Sequence, residues 1–159
     1  MRAAVLTVSD GVAAGERDDE SGDLLAQLLA ADEFAVERRV VADDRAAIAD
    51  AIVELAEDAS LVLTTGGTGV APRDVTPEAT EEVLDRLAPG IAEAIRADAA
   101  AQTPHGLLSR GVAGVRDRTL IVNLPGSPGG CRDGFRVLRP ALRHALQLLA
   151  GEATAHRQT

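Results

Sequence analysis

The sequence predicts a three-layer α/β/α fold, in which helices cover both faces of a mostly parallel central sheet. Short apolar runs typical of buried strands alternate with segments whose apolar residues recur at helical spacing. Such alternation favours a parallel sheet, because each crossover helix packs on a face of the sheet. With 159 residues, 46% of them apolar, the chain is long enough for one domain with a full hydrophobic core.

The first predicted strand covers residues 3–9 ("AAVLTVS"), which are mostly apolar. A loop follows, and Ser21 is expected to cap the next helix. The buried face of that helix is predicted from its leucine spacing: Leu24, Leu25, Leu28 and Leu29. Apolar and polar residues then alternate in a strand with one solvated face, whose apolar members are Phe34, Val36 and Val40.

Asp43 or Asp44 begins the next predicted helix, whose buried positions are Ile48, Ile52 and Leu55. Residues 60–65 ("SLVLTT") predict another buried strand, which leads into a glycine-rich turn. Thr76 and Pro77 then predict a helix start, as the cap and the first helical residue. The buried stripe of that helix is expected to comprise Ala79, Val83 and Leu87.

Pro89 and Gly90 interrupt the pattern before a further helix, "IAEAIRADAAA". Residues 119–130 predict a last central strand that enters a glycine-proline loop. A terminal helix follows, which Pro140 should kink or restart and Gly151 should end. Its buried face is predicted to contain Phe135, Leu138, Leu142, Leu146 and Leu149. We expect residues 1–151 to form the domain and residues 152–159 to form a flexible tail.

The composition argues against several functional classes. The formal net charge is −9, all 16 basic residues are arginines and only two residues are aromatic, so we expect no nucleic-acid partner. A chain without lysine forms neither a Schiff base nor a lysine-containing P-loop. The single cysteine, Cys131, excludes an internal disulfide, and we interpret it as a packing residue because no nearby histidine would activate its thiol. The three histidines lack zinc-site spacing.

The start of the sequence and its apolar runs indicate a protein that is neither exported nor inserted in a membrane. No basic segment precedes an apolar stretch after Met1. No apolar run approaches about 20 residues. We therefore expect a cytoplasmic location.

Polar and glycine-rich segments follow four of the predicted strands. Ser9 and Asp10 follow the first, Asp43 the second, residues 66–74 the third and residues 123–130 the last. Ligands of open parallel sheets bind outside the carboxyl ends of the strands, where these segments converge. The candidate site is therefore expected at this edge.

The glycine turn, residues 66–69 ("GGTG"), lacks the lysine of a Walker loop, and Pro72 replaces the last glycine of G-x-G-x-x-G. Its backbone N–H groups could hold phosphate without a charged side chain, although most such turns are structural. Two acids, Asp43 and Asp74, lie beside helix starts near this turn. They suit Mg²⁺ bridging protein and nucleotide. The alternative is that they only start helices, and Asp44 competes with the first of them.

Two further loops contain polar candidates. Asn123 and Ser127 either form a tight strand exit or orient a polar heterocycle. Ser109, Arg110 and Arg116 lie beside small residues and could contact phosphate. In a protein of net charge −9, however, arginines more often form surface ion pairs.

Three segments together resemble the molybdopterin-binding MogA/MoaB family, which includes the gephyrin G domain. They are "LTVSDG" with "DDESG", "LTTGGTGVAPRDVTPEAT" and "LLSRGVAGVRDRTLIVNLPGSP". The resemblance covers residues 3–150 and implies that family's fold. It also implies molybdopterin adenylyltransferase activity in molybdenum cofactor biosynthesis, in which Mg-ATP adenylylates molybdopterin and pyrophosphate is released. Finally, it implies a homotrimer, or a hexamer in some members.

Asp74 in "RDVTPEAT" matches an essential acid of that family, and Asp43 in "VVADD" resembles the second, although the family more often has proline in place of Ala42. We predict that these two acids are catalytic and hold Mg²⁺. ATP and molybdopterin are predicted to contact Ser9, Asp10, Gly66, Gly67, Thr68, Gly69, Arg73, Thr76, Ser109, Arg110, Asn123, Pro125, Gly126 and Ser127.

The resemblance leaves three interpretations open. The chain is an adenylyltransferase, a non-catalytic molybdopterin-binding or carrier protein, or a structural trimer-forming domain. Retention of both acids favours the enzyme, because binding requires only the glycine turn. A molybdenum-insertion protein is a candidate partner, and the pathway uses either molybdenum or tungsten.

Overall fold

Strands and helices alternate along the chain. The computed structural model describes residues 1–151, and the predicted tail, residues 152–159, lies outside this range. The strands are β1 (Arg2–Val8), β2 (Ala35–Val41), β3 (Leu61–Thr65), β4 (Arg86–Leu87), β5 (Ala113–Arg116) and β6 (Thr119–Leu124). The helices are α1 (Asp10–Ala13), α2 (Glu20–Ala31), α3 (Arg45–Asp58), α4 (Thr76–Val83), α5 (Pro89–Gln102) and α6 (Pro128–Ala150), with a 3₁₀ helix over Pro104–Leu108.

The strands form a six-stranded sheet in the order β2-β1-β3-β6-β5-β4. The first four of these are parallel neighbours, and β5 and β4 continue the sheet in antiparallel pairs. At the centre of the sheet, Leu63 of β3 lies beside Val5 of β1 on one side and Val122 of β6 on the other. After β1 the chain continues to β2, which lies on one side of β1 in the sheet. After β3 it continues to β4, β5 and β6, which all lie on the opposite side. The loops after β1 and β3 therefore diverge and leave a crevice at the carboxyl edge.

Helices pack on both faces of the sheet. On one face, α2, α5 and α6 contribute Leu25, Ile95 and Phe135 to an apolar cluster. On the other face, α3 and α4 contribute Ile52 and Ala79 to a second cluster. The predicted three-layer α/β/α fold is thus confirmed. None of the helices in the described chain is long and apolar enough to cross a membrane.

The segment after β1 differs from the predicted loop in two ways. Asp10–Ala13 form the short helix α1, which Ser9 caps. The N-cap of α2 is Asp19, whose carboxylate accepts a hydrogen bond from the N–H of Gly22 at 3.0 Å. The predicted capping role of Ser21 is therefore wrong, and this residue lies buried in the first turn of α2.

The start and the end of α4 also differ from the prediction. Thr76 is the first helical residue rather than the cap, and its buried hydroxyl donates to the carbonyl of Gly66 at 2.9 Å instead of capping the helix. Ala79 and Val83 are buried as predicted. The helix ends at Val83, and Leu87 lies in β4, where it is 58% exposed.

Neighbouring elements explain the remaining differences. Val40 is 38% exposed, because β2 lies at the edge of the sheet and β1 is its only neighbouring strand in residues 1–151. Helix α6 passes through Pro140 without restarting, and it ends at Gly151 with a φ of +77°, as predicted. The strands β4 and β5 were not predicted as strands, since two and four residues are too few to show a pattern.

Candidate functional site

The loops after β1, β2, β3 and β6 meet at the carboxyl edge of the sheet. Two cavities open there, of about 820 Å³ and about 630 Å³, which we call the first and the second cavity. Four of the predicted site residues line both of them: Gly67, Asp74, Gly126 and Ser127. The glycine turn and the loop over residues 125–127 thus form the partition between the two cavities.

The first cavity is strongly acidic. Its predicted members are Ser9, Asp43 and Gly66, in addition to the shared partition. Six carboxylates line it, and among the described residues Arg17 is its only basic side chain. The six acids are Glu16, Asp18, Asp19, Glu20, Asp43 and Asp74. An anionic ligand in this cavity needs a compensating cation.

The second cavity has small and apolar walls. The predicted residues Thr68, Gly69, Ser109 and Pro125 line it. Ile95 and Leu108 add apolar surface, together with glycines of the 3₁₀ helix and of α6. Its remaining acids are Asp98 and Asp133. Such walls suit a flat polar ring better than a second cluster of phosphates.

The glycines of the turn are required by the fold as well as by any ligand. Gly66 has a φ of +97°, and a Cβ there would lie 2.2 Å from the carbonyl oxygen of Val8. Gly67 has a φ of +66°, and a Cβ there would lie 2.3 Å from the hydroxyl of Thr76. Within residues 1–151, no acceptor pairs with the N–H groups of residues 67–69. These N–H groups are therefore available to an anion.

The structure distinguishes the two neighbouring acids after β2. Asp44 is the N-cap of α3, where its carboxylate accepts from the N–H of Ala47 at 2.8 Å. Asp43 does not cap α3 and lines the first cavity. Its Oδ2 accepts from the N–H of Asp10 at 2.9 Å, and its own N–H donates to Asp10 Oδ1 at 3.0 Å. Its Oδ1 accepts no hydrogen bond from the described residues.

Asp74 faces the partition between the cavities. Its Oδ2 accepts from the N–H of Ala71 at 3.0 Å, which leaves Oδ1 without a donor in the described part of the chain. Asp43 and Asp74 both line the first cavity. Within residues 1–151, no three side chains of His, Cys, Asp or Glu are grouped so that they could hold a metal ion together. Mg²⁺ commonly uses only one or two carboxylates together with substrate phosphates, so this donor set fits that ion.

Five of the predicted site residues line neither cavity, and their ligand contacts stay predictions: Asp10, Arg73, Thr76, Arg110 and Asn123. Arg73 binds both oxygens of Asp10, at 2.6 and 3.0 Å, and the carbonyl of Asp43. This arginine lowers the pKa of the Asp10 carboxyl. Arg110 is bound to the loop after β3 and to Glu78.

Asn123 and Arg116 have internal partners. Asn123 is 4% exposed, and its Nδ2 donates to the hydroxyls of Thr64 and Thr80 at 2.9 Å each. Its Oδ1 accepts from the N–H of Val112 at 3.2 Å. Arg116 donates to the carbonyl of Val83 at 2.9 Å. Both residues thus stabilise the fold beneath the site.

The 125–127 loop is held by buried donors. The hydroxyl of Thr65 donates to the carbonyl of Pro125 at 2.7 Å, and that of Ser21 donates to the carbonyl of Gly126 at 2.6 Å. Ser127 caps α6, so the positive end of this 23-residue helix lies at both cavities. Cys131 is buried in its first turn, where burial raises the pKa of the thiol to about 11.

Sequence reasoning missed the residues that α2 brings to the first cavity. Asp19 accepts from the hydroxyl of Thr7 and from Arg38, and it lines the cavity beside Ser21. Arg17 lines the same wall. The "DDESG" segment was a signal for this wall, because it carries part of the family resemblance.

Known proteins match almost the whole chain. A sequence profile described as "probable molybdopterin binding domain" matches residues 4–144. The molybdopterin adenylyltransferase of Helicobacter pylori is 38% identical over 154 residues, covering 92% of this chain and 86% of the relative. The molybdopterin adenylyltransferase of Escherichia coli K12 is 37% identical over 146 residues, covering 89% of this chain and 75% of the relative.

Solved structures agree with these relatives. The molybdopterin biosynthesis enzyme MoaB of Thermus thermophilus superposes with a TM-score of 0.88 at 47% identity, covering 95% of this chain and 97% of the other. The molybdopterin biosynthesis Mog protein of Mycobacterium ulcerans superposes with a TM-score of 0.89 at 44% identity, covering 93% and 98%. Each of these two structures thus covers more than nine-tenths of this chain.

Proposed function

Because this chain belongs to the family of molybdopterin-binding domains, we propose that it is a molybdopterin adenylyltransferase of molybdenum cofactor biosynthesis. The reaction transfers the adenylyl group of ATP to the terminal phosphate of molybdopterin. A phosphate oxygen attacks the α-phosphorus of ATP, the bond to the β-phosphate oxygen breaks, and pyrophosphate leaves. The products are adenylyl-molybdopterin and pyrophosphate.

The observation that carries the proposal is the partition between the two cavities. It combines the N-terminus of α6, the carboxylate of Asp74 and the N–H groups of residues 67–69, which have no acceptor in the described chain. We assign the reacting phosphates to this partition, with room for one substrate in each cavity. The attacking phosphate oxygen is already anionic at neutral pH, so the reaction requires positioning and charge stabilisation rather than a strong base.

Asp43 and Asp74 are the residues that would hold Mg²⁺. When bound there, the ion would supply two positive charges that stabilise the crowded phosphates. Such a charge is needed because six carboxylates line the first cavity, whereas one arginine is the only basic side chain there among the described residues. ATP and a phosphorylated pterin are both anions, and the net charge of −9 opposes their approach.

The second candidate function is molybdopterin binding without catalysis. A carrier would use the same cavities, whereas the two acids that line the first cavity favour the enzyme. Incubation with molybdopterin, ATP and Mg²⁺, followed by detection of adenylyl-molybdopterin and pyrophosphate, separates the two functions. Bound molybdopterin without any product in the presence of Mg-ATP would support the carrier and contradict the enzyme.

The Asp74→Asn variant tests the assigned role. Loss of a metal-holding charge should lower turnover about 100-fold without unfolding the protein. The matched control is Asp50→Asn, an exposed acid of α3 outside both cavities, which should keep the wild-type rate. Wild-type turnover by folded Asp74→Asn would remove this acid from the mechanism.

The assembly and the cellular context complete the proposal. We propose a homotrimer, with a hexamer as the alternative, and light scattering that gives a monomer mass at micromolar concentration would contradict both. A molybdenum-insertion protein is the proposed partner. A cytoplasmic location is likewise proposed and is tested by cell fractionation.

A further inference from the structure

All four carbonyl groups of the glycine turn accept hydrogen bonds from the protein. Thr76 binds the first two, through its hydroxyl at 2.9 Å and its backbone N–H at 3.1 Å. Arg110 binds the last two, through its backbone N–H at 2.8 Å and its Nε at 2.7 Å. In a trans peptide the C=O and N–H groups point in opposite directions. These bonds therefore turn the N–H groups of residues 67–70 away from Thr76 and Arg110.

The guanidinium of Arg110 spans the segment that contains Asp74. One edge donates through Nε to the carbonyl of Gly69, and Nη2 donates to the carbonyl of Asp74 at 2.7 Å. Both Nη atoms also contact the carboxylate of Glu78 on α4. Neither Arg110 nor Glu78 lines a cavity. Four of the five N–H groups of this guanidinium are thus occupied by the protein.

We propose that Arg110, held by Glu78, is a positioning residue that orients the N–H groups of the glycine turn and Asp74 toward the reacting phosphates. This inference rests on the proposed function and replaces the ligand contact that the sequence predicts for Arg110. Lysine cannot take over the role, because a single ammonium lacks the planar fork that reaches three acceptors on different sides. The paired carboxylate is ionised at neutral pH, since the guanidinium lowers the pKa of Glu78.

Two variants test the positioning role. Arg110→Lys keeps the positive charge and loses the fork, and Glu78→Gln keeps the shape and loses the charge that holds the guanidinium. Misplacement of reacting groups by about 1 Å costs about 100-fold, so we expect kcat to fall about 100-fold in the first variant and about 10-fold in the second. Magnesium-ATP affinity, measured by calorimetry, should fall in both variants.

The matched controls form an ion pair between α4 and α3. Glu82 of α4 pairs with Arg45 of α3 at 2.9 Å, and neither residue lines either of the two cavities. Glu82→Gln and Arg45→Lys should keep kcat and magnesium-ATP affinity within about 2-fold of wild type. Exchange of the Thr76 amide hydrogen, which bonds the turn, should be faster in Glu78→Gln than in Glu82→Gln.

If Arg110 instead contacted the ligand directly, Glu78→Gln would have the opposite effect on magnesium-ATP affinity. Neutralising the competing carboxylate would free the guanidinium, so magnesium-ATP would bind as tightly as before or more tightly. That result, or wild-type kcat in Arg110→Lys, would overturn the positioning role. If Arg110→Lys does not fold, Glu78→Gln decides the question. If wild-type protein transfers no adenylyl group, the proposed function fails, whereas ATP affinity and amide exchange still decide the role of Arg110.

Discussion

Replacement of Asn123 by alanine should destabilise the protein without removing a ligand contact. Asn123 is the only asparagine in the chain, and it is 4% exposed. Its side chain makes three hydrogen bonds that join β6 to Thr64 of β3, Thr80 of α4 and the N–H of Val112. Each lost bond costs about 1 kcal/mol, and the hydroxyl of Thr64, which is 0% exposed and loses its partner, adds about 1 kcal/mol. We therefore expect the free energy of unfolding to fall by about 4 kcal/mol.

Urea unfolding followed by far-ultraviolet circular dichroism measures this loss. Tryptophan and tyrosine fluorescence offer no signal, because the chain contains neither residue. The slope of the unfolding free energy against urea concentration should be the same for wild type and Asn123→Ala at matched protein concentrations. Both proteins expose the same surface on unfolding. Thr80→Val completes a double-mutant cycle with Asn123→Ala. The double variant should lose less stability than the sum of the two single variants, because the hydrogen bond between Asn123 and Thr80 is lost only once.

Two results would refute the reasoning about Asn123. A loss of stability below about 1 kcal/mol would mean that the three bonds contribute little beyond solvation. A drop of more than about 30-fold in magnesium-ATP affinity, at a temperature where the variant is folded, would mean that the side chain reaches the ligand after all. We expect that affinity to stay within about 3-fold, because Asn123 lines neither cavity.

Three further outcomes follow from charge and burial. Excess chelator should weaken ATP binding strongly in wild-type protein and only slightly in Asp43→Ala; equal affinity with and without Mg²⁺ would contradict the metal role. Iodoacetamide at pH 8 should modify Cys131 at least about 100-fold more slowly than a free thiol, because burial raises its pKa to about 11. Arg73 lowers the pKa of Asp10 in the folded protein below its ordinary value of 3.8. The contribution of this ion pair to stability is therefore present above pH 3.8 and is lost as the pH falls below it. The stability difference between wild type and Asp10→Asn should therefore shrink on acidification, and a constant difference would argue against it.

The glycine turn shows how one residue type serves both fold and function. Gly66 cannot bear a Cβ because β1 approaches it, and Gly67 cannot because the Thr76 hydroxyl lies against it. The same backbone path leaves the N–H groups of residues 67–69 without acceptors in the described chain. Sequence reasoning identified the turn from its possible ligand, and the fold supplies an independent reason for its composition.

Local patterns in the sequence determined most of the elements and predicted the position of the candidate site. Leucines and isoleucines at helical spacing, such as Leu25, Leu29 and Ile52, are buried as predicted, because periodic burial is a property of one helix on one sheet face. The convergence of the loops after β1, β2, β3 and β6 also followed from the sequence, since parallel strands end at the same edge.

Only the tertiary structure decided which polar side chains face the cavities. Arg73 and Asp10 pair across 63 positions, Arg110 reaches Glu78 across 32, and Ser21 reaches Gly126 across 105. No local spacing specifies such pairs, because each donor has several acceptors of similar chemistry and the packing of distant elements selects one. The same cause places Val40 at an exposed edge, since strand order is fixed by contacts between segments distant in sequence. Side-chain chemistry was therefore readable from the sequence, whereas the partner of each charge was determined only when the sheet brought the loops together.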